Sequence, residues 1–345
     1  LLIFSLSGYS QERFYKNIPG WMANSIMKYE NSFYAFGLSQ DSLFNHRLQI
    51  TNISINSEII NQFEYFIDSC IYTSMQINSI YDDNNYSYIA GLVFDMDSIA
   101  NEYIPLGALY KFNKSLNQID TVQFFPKIGN NFIFHCMDKC GSYYYFAGAE
   151  KPADSVFSFV CKTDTLGNLL WKRRFRYEFP FAFETPITKP IQIVRMEGEK
   201  HIVTFDSYTS YPGINKQYIA CIDSAGNIIW EKQVDENPLF YQTSLTISPF
   251  DNHSYFIAWS DPSMKTNIYP YYSFNPNTTI WAAKMDLVGN YLWKKSYREY
   301  AWLRDTQQIV HLSIAPDLDG NIVLGFSFFY VNCGIIKIRP NGSVK

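Results

Sequence analysis

The chain is written in short apolar runs separated by polar turns. The runs F-S-F-V-C-K-T (157–163), K-Q-Y-I-A-C-I (216–222), I-W-A-A-K-M (280–285) and G-I-I-K-I (334–338) are rich in β-branched and aromatic residues. That is the composition of half-buried strands. The same turn follows each run: D-T-L-G-N-L-L-W from Asp164, D-S-A-G-N-I-I-W from Asp223, D-L-V-G-N-Y-L-W from Asp286, and a partial R-P-N-G-S from Arg339. Gly-Asn supplies the positive φ of a tight strand connection, and the Asp side chain can cap the turn's backbone amides. The pattern predicts a hairpin whose second strand carries the Trp.

A second marker recurs upstream. The segments F-Y-A-F-G, Y-I-A-G-L, Y-F-A-G-A, I-V-T-F-D, F-I-A-W-S and V-L-G-F-S each set a small residue in an apolar strand, at Ala35, Ala90, Ala147, Thr204, Ala258 and Gly325. Another short strand precedes each across a polar turn, so the unit reads strand, turn, strand, long loop, strand, Gly-Asn turn, strand. The spacing of roughly 54 to 67 residues suits a four-stranded blade rather than a solenoid turn. Six such units predict an all-β fold, a six-bladed β-propeller of four-stranded antiparallel blades occupying residues 11–345 as one domain. The run E-R-F-Y-K-N-I (12–18) repeats in Phe14 and Ile18 the spacing of Trp171 and Phe175. It is expected to complete the sixth blade by pairing with the C-terminal strand, which removes a bare edge. Seven blades are the alternative for a chain that continues past Lys345.

The D-x-x-G-N-x-x-W hairpin resembles the quinoprotein-type (PQQ-like) propeller repeat. It is also similar to repeats of secreted bacterial propellers, some exported by the type IX route. The strict motif ends in Trp171, Trp230 and Trp293; in the first two units Asn52 and Asn113 stand in place of the Asp, and Ile59 and Asp120 in place of the Trp. The resemblance implies a fold and not a chemistry, because propellers carry unrelated functions. Each Trp is expected to pack between its own blade and the next.

Composition refines the picture. With 47% hydrophobic residues over 345, the chain can bury a large core, and its formal charge of -4 gives no basic footprint for nucleic acid. Residues 1–10, L-L-I-F-S-L-S-G-Y-S, resemble the end of a secretory signal peptide, so export to the cell surface or beyond is expected. Cys136 and Cys140 read as flanking a short turn, able to pair across a hairpin, but most of the six cysteines read as small buried hydrophobes. The five histidines are scattered without ligand spacing, and no metal or cofactor is expected. D-L-D-G-N from Asp317 looks like the start of a calcium loop, but it falls where a first-to-second strand hairpin is due.

Candidate chemistry lies in the long loops, which the blade topology gathers on one face. They are rich in aromatics and acids, the pairing that suits a flat, hydrogen-bonding ligand. The candidate ligand-binding residues are Tyr271, Tyr272 and Trp302, with Asp97, Asp206 and Asp261. Phe179, Phe181 and Phe240 read instead as buried plugs. Two functions follow. One is an exported non-catalytic scaffold that recognises a glycan or a surface protein. The other is a polysaccharide-active enzyme whose three aspartates converge at the mouth of the ring as acid and base or nucleophile.

Overall fold

The computed structural model describes residues 21–29, 32–40, 46–54, 58–65, 76–83, 85–97, 102–125, 132–150, 157–177, 187–208, 215–234, 245–251, 253–262, 278–297, 309–317, 319–328 and 333–345. Among them there is no α-helix, and the sole helical element is the 3-10 turn Glu197–Glu199. No helix among the described residues is long and apolar enough to cross a membrane. Residues 1–20, including the leader-like start and the strand expected at 12–18, lie outside the described residues.

The chain divides into two compact units: residues 1–153 with 163–170, and residues 154–162 with 171–345. The first sheet has the order β1 (Trp21–Tyr29), β2 (Ser32–Gln40), β3 (His46–Ser54), β4 (Ile59–Tyr65), and the second β5 (Gln76–Asp82), β6 (Tyr86–Asp97), β7 (Glu102–Asn113), β8 (Gln118–Phe124). In the third, β9 (Phe132–Cys140), β10 (Tyr143–Glu150), β11 (Phe157–Asp164) and β12 (Leu169–Phe175) again follow chain order. In the first unit, Tyr34, Phe36 and Ile50 of the first sheet share a core with Ile89, Tyr110 and Phe112 of the second. Phe134 stacks on Phe146 at 4.1 Å, with Phe125 edge-on at 4.9 Å to Phe146.

The second unit holds the fourth sheet, β13 (Ile187–Arg195), β14 (His201–Tyr208), β15 (Asn215–Ile222), β16 (Ile228–Gln233), and the fifth, β17 (Leu245–Asp251), β18 (Ser254–Pro262), β19 (Thr278–Asp286), β20 (Tyr291–Ser296). A sixth sheet has three strands, β21 (Ile309–Pro316), β22 (Ile322–Phe328) and β23 (Cys333–Ile338). Val344 bridges Ile338 in the register in which Ile228 meets Ile222, so it takes the first position of a fourth strand. First strands of successive sheets approach one another, β1 to β5 to β9 in one unit and β13 to β17 to β21 in the other. Two cores cement the second unit: Ile202, Ile219, Leu245, Ile257 and Trp259 join the fourth and fifth sheets, and Phe256, Ala258, Ile322 and Leu324 join the fifth and sixth.

In the second, third and fourth sheets the small residue of the second strand has a physical reason. Ala90 pairs with Ser79 while Gly91 pairs with Ile77; Ala147 pairs with Cys136 while Gly148 pairs with Phe134; Thr204 pairs with Gln192 while Phe205 pairs with Pro190. Each first strand therefore carries one extra residue at the same place, Asn78, His135 or Ile191. Two residues then crowd against one, and a small side chain on the partner strand makes room.

Register corrects three sequence expectations. The residue two before the turn Asp pairs with the Trp, as Cys221 does with Trp230 and Lys284 with Trp293. By that rule Phe63, opposite Ile50, holds the Trp position of the first sheet, and Thr121, opposite Lys111, that of the second. Ile59 and Asp120 do not, because the turns there are longer: Lys114 to Asn117 make a four-residue loop closed by Asn117 at φ 52. Cys136 and Cys140 sit on one strand, β9, and are free thiols rather than partners across a hairpin.

Candidate functional site

The repeated turn builds both a hairpin and a socket. Asp223 Oδ1 accepts the amides of Ala225 and Asn227, Oδ2 accepts the Asn227 side chain, and Gly226 adopts φ 86. The turns at Asp164 and Asp286 repeat these bonds. Each Trp then reaches the turn of the following sheet. The indole N–H of Trp171 donates to Ser224 O at 2.9 Å, that of Trp230 to Leu287 O at 2.8 Å, and that of Trp293 to Pro340 O at 2.8 Å. The ring covers the next turn's glycine so closely that a Cβ on Gly226 would lie 2.8 Å from Trp171, and one on Gly289 or Gly342 3.1 Å from Trp230 or Trp293. Two residues beyond each Trp a cation adds a second bond: Arg173 to Gly226 O, Lys232 to Gly289 O, Lys295 to Asn341 O. Each of the three Trp thus bonds from its own strand to the next sheet's turn.

The D-L-D-G-N segment is a turn. Asp317 accepts the amides of Asp319 and Asn321 and pairs with Lys337. The bond from the Lys337 ammonium holds the Asp317 carboxyl down at about 2. Among the described residues, no three His, Cys, Asp or Glu side chains gather as a metal site.

The candidate aspartates all stand where a second strand enters its long loop. Asp97 closes β6, opposite Glu102; Asp206 lies near the end of β14; Asp261 lies near the end of β18, opposite Thr279. Tyr271, Tyr272 and Trp302, with Phe179, Phe181 and Phe240, lie outside the described residues.

Asp206 has the most fully described setting. Lys189, Asp206 and Gln217 pair in sequence across β13, β14 and β15, so cation, carboxylate and amide form one row on one face of the fourth sheet. Lys189 is exposed, Asp206 half-buried and Gln217 fully buried. Alternation puts the row on the side of Ile202 and Ile219, the wall that meets Leu245 and Trp259 of the fifth sheet. On that facing wall Trp259 stacks with Trp281, ring centroids 6.1 Å apart, and the Lys294 ammonium lies 4.9 Å from Trp281 and 5.1 Å from Trp259. The Trp259 indole N–H is buried with no hydrogen-bond partner among the described residues. Asp261 lies two residues beyond Trp259 along β18. On the wall of the site Gln192 Oε1 accepts the Ile247 amide at 3.0 Å, while the Thr188–Ser207 hydroxyl pair, 2.9 Å apart, lies on the opposite face of the fourth sheet. Lys189 and Gln217 were not predicted as site residues. Their signal is polarity inside the apolar strands I-T-K-P-I-Q-I-V and N-K-Q-Y-I-A-C-I, and it acquires meaning only with the register.

A separate cleft of about 400 Å³ opens at the hairpin end of the same two sheets, lined by Arg195, Met196, Glu197, Pro249, Phe250 and Asp251. Burial pushes the Asp251 carboxyl up, but bonds from Ser254 and His253 and the Lys284 ammonium outweigh it and hold the group below the ordinary carboxylate range. His253 Nδ1 lies 3.6 Å from Glu197 across this cleft.

No protein-family model matches the sequence, and no curated relative does. Solved structures do match the fold. The NanB sialidase of Streptococcus pneumoniae superposes with a TM-score of 0.55 at 11% identity, over 99% of this chain and 70% of that one. The Trypanosoma rangeli sialidase gives 0.51 at 10%, over 96% and 56%. A puromycin-hydrolyzing peptidase of Mycobacterium tuberculosis gives 0.55 at 7%, over 93% and 45%. The chain thus spans about half to two thirds of the length of these structures. The matched sialidases are β-propeller proteins, and at 10 and 11% identity the likeness shows the fold alone: all-β, in antiparallel sheets of which five have four strands. PQQ-like character and type IX export find no counterpart in these matches.

Proposed function

We propose that this chain is an exported β-propeller directed at glycans, and that Asp206 and Asp261 are its working carboxylates. The observation that carries the reading is the Lys189–Asp206–Gln217 row, which faces the wall of the fifth sheet where Trp259 and position 261 lie. Trp259 itself is fully buried, so the aromatic surface that would grip a sugar ring beside these acids is assigned to Tyr271, Tyr272 and Trp302. The likeness to two sialidases supports glycan chemistry over protein recognition, while the peptidase of equal score shows that fold alone does not decide it. Glycoside hydrolysis needs an acid and a base or nucleophile flanking the scissile bond. Asp206, beside the Lys189 ammonium, suits the ionised partner, and Asp261 the acid; Asp97 has the equivalent strand-end place in the other unit. In the same reading, residues 12–18 supply the remaining fourth strand of the sixth sheet, Phe14 taking the place of the Trp.

The test is release of sugar from a panel of sialylated and neutral oligosaccharides. Asp206→Asn and Asp261→Asn are each expected to lower kcat by at least ~100-fold with little change in KM. Binding on a glycan array without release by the parent would favour the non-catalytic reading instead. In that case Tyr271→Ala with Tyr272→Ala, and Trp302→Ala, are expected to abolish the signal. Neither release nor binding by the parent overturns both.

A further inference from the structure

We propose that Tyr177 and Tyr218 form an oxidative cross-linking site, at which one-electron oxidants join the two rings as dityrosine and tie the end of β12 to β15. The site stands on ring geometry and not on the glycan reading.

Tyr177 lies two residues beyond β12, and Tyr218 sits within β15. Their rings are parallel to within 3°, with centroids 3.7 Å apart. Aromatic pairs ordinarily settle edge-on or offset at about 4.5–7 Å, so a direct face-to-face stack is held by its surroundings. Phe205 supplies the support. It meets Phe175 and Tyr177 at 4.7 and 5.7 Å and pairs with Tyr218 across β14 and β15. Tyr177 is buried and Tyr218 half-buried.

The stack places the reactive carbons. A phenoxyl radical carries spin on the carbons ortho to oxygen, in p orbitals perpendicular to the ring, so two such radicals couple through their faces. At this separation the ortho carbons of the two rings lie about 4 Å apart, at van der Waals contact. The other tyrosine contacts among the described residues are tilted or edge-on: Tyr88 with Tyr144 at 5.8 Å and 54°, Tyr81 with Tyr88 at 6.2 Å and 51°, Tyr86 with Tyr88 at 6.4 Å and 51°, Tyr65 with Tyr110 at 6.3 Å and 76°. None of these presents face to face.

The step balances with two equivalents of a one-electron oxidant, such as the ferryl haem of a peroxidase. Each phenol gives up one electron and its hydroxyl proton, and the two radicals form a carbon–carbon bond between ortho carbons. Each bonded carbon then passes its hydrogen to the oxygen of its ring, which re-forms the phenol. The chain loses two hydrogens in all, as two electrons to the oxidant and two protons to water. Burial, and after it the Glu231 carboxylate, push both phenols above the ordinary tyrosine range, so the rings enter as neutral phenols. Glu231, itself exposed, is a base within electrostatic reach of both.

The experiment exposes the full chain, dilute enough to suppress coupling between molecules, to photogenerated ruthenium(III) tris-bipyridine with persulfate. Cross-linked peptides are then mapped by mass. The peptide holding Tyr177 is expected joined to the one holding Tyr218, two hydrogens lighter than their sum and with dityrosine fluorescence. A link between Tyr88 and Tyr144 should be at least ~10-fold rarer, because orientation decides the coupling. Tyr177→Phe and Tyr218→Phe, which keep both rings, should each abolish the joined pair. Absence of that pair in the parent, a Tyr88–Tyr144 link in equal yield, or a yield that rises with protein concentration overturns the proposal.

Discussion

Replacing Trp230 by Ala tests the contact that joins neighbouring sheets. Three terms are lost. The ring packs over Gly289, its N–H donates to Leu287 O at 2.8 Å, and it belongs to the core shared by the fourth and fifth sheets. A fully buried Trp→Ala costs about 3–5 kcal/mol. Trp230 is only half-buried, so packing contributes roughly half of that, about 2 kcal/mol. The indole hydrogen bond adds about 1 kcal/mol. With an unfolding entropy near ~2.1 cal/mol/K per residue, a loss of ~3 kcal/mol lowers Tm by roughly 4 °C in a chain of this length. Trp230→Phe, which keeps a ring and removes the N–H, should lose about a third as much. Calorimetry of parent and both variants, with hydrogen exchange of the Asp286–Asn290 turn amides, checks the assignment. An Ala variant that melts within about 1 °C of the parent, with unchanged exchange at that turn, would refute it.

Other consequences are equally open to measurement. Gly226→Ala meets both a positive φ and the Trp171 ring, whereas Gly198→Ala, at φ 72, meets no atom within 4 Å; urea titration should show a loss of about 1 kcal/mol for the second and at least ~2 for the first. Asp317 is held near 2 by Lys337, below its unfolded value, so its stabilising contribution is complete above about pH 4 and disappears as pH falls through about 2. The denaturation curves of the parent and Asp317→Asn should therefore differ at neutral pH and converge in strong acid; a constant gap down to pH 1.5 would break the assignment. Alkylation of the unreduced, denatured chain should modify at least Cys136, Cys140, Cys161 and Cys221, read by mass, because all four are free thiols.

Where turn length is constant, the sequence was a sufficient guide. The three D-x-x-G-N-x-x-W copies foretell hairpin and glycine conformation, because Asp, Gly and Asn in fixed spacing encode the whole turn. Where a turn gained a residue, the guide slipped: Asn113 still caps its loop through Ser115 and Leu116, yet counting from it lands on Asp120 instead of Thr121. The small-residue marker is legible in the sequence, but its cause in the second, third and fourth sheets, an extra residue in the neighbouring strand, is not, since a bulge is a property of two strands together. The same holds for the site. Asp206 stood out as an acid at a loop, while Lys189 and Gln217 become its neighbours only when strands separated by seventeen and eleven residues are laid side by side.

The pairing of each indole with the following turn also bears on how such a chain can change length. The third, fourth and fifth sheets carry the plug on the Trp-bearing strand, and the fourth, fifth and sixth carry the receptacle at the hairpin, so duplicating the fourth or fifth repeat adds a matched set and leaves no orphan. Losing half a repeat would strand an aromatic in water at one border and uncover a glycine hollow at the other. Growth and shrinkage in whole modules is therefore the route that folding tolerates, and the border between modules falls between the Trp-bearing strand and the strand that follows it.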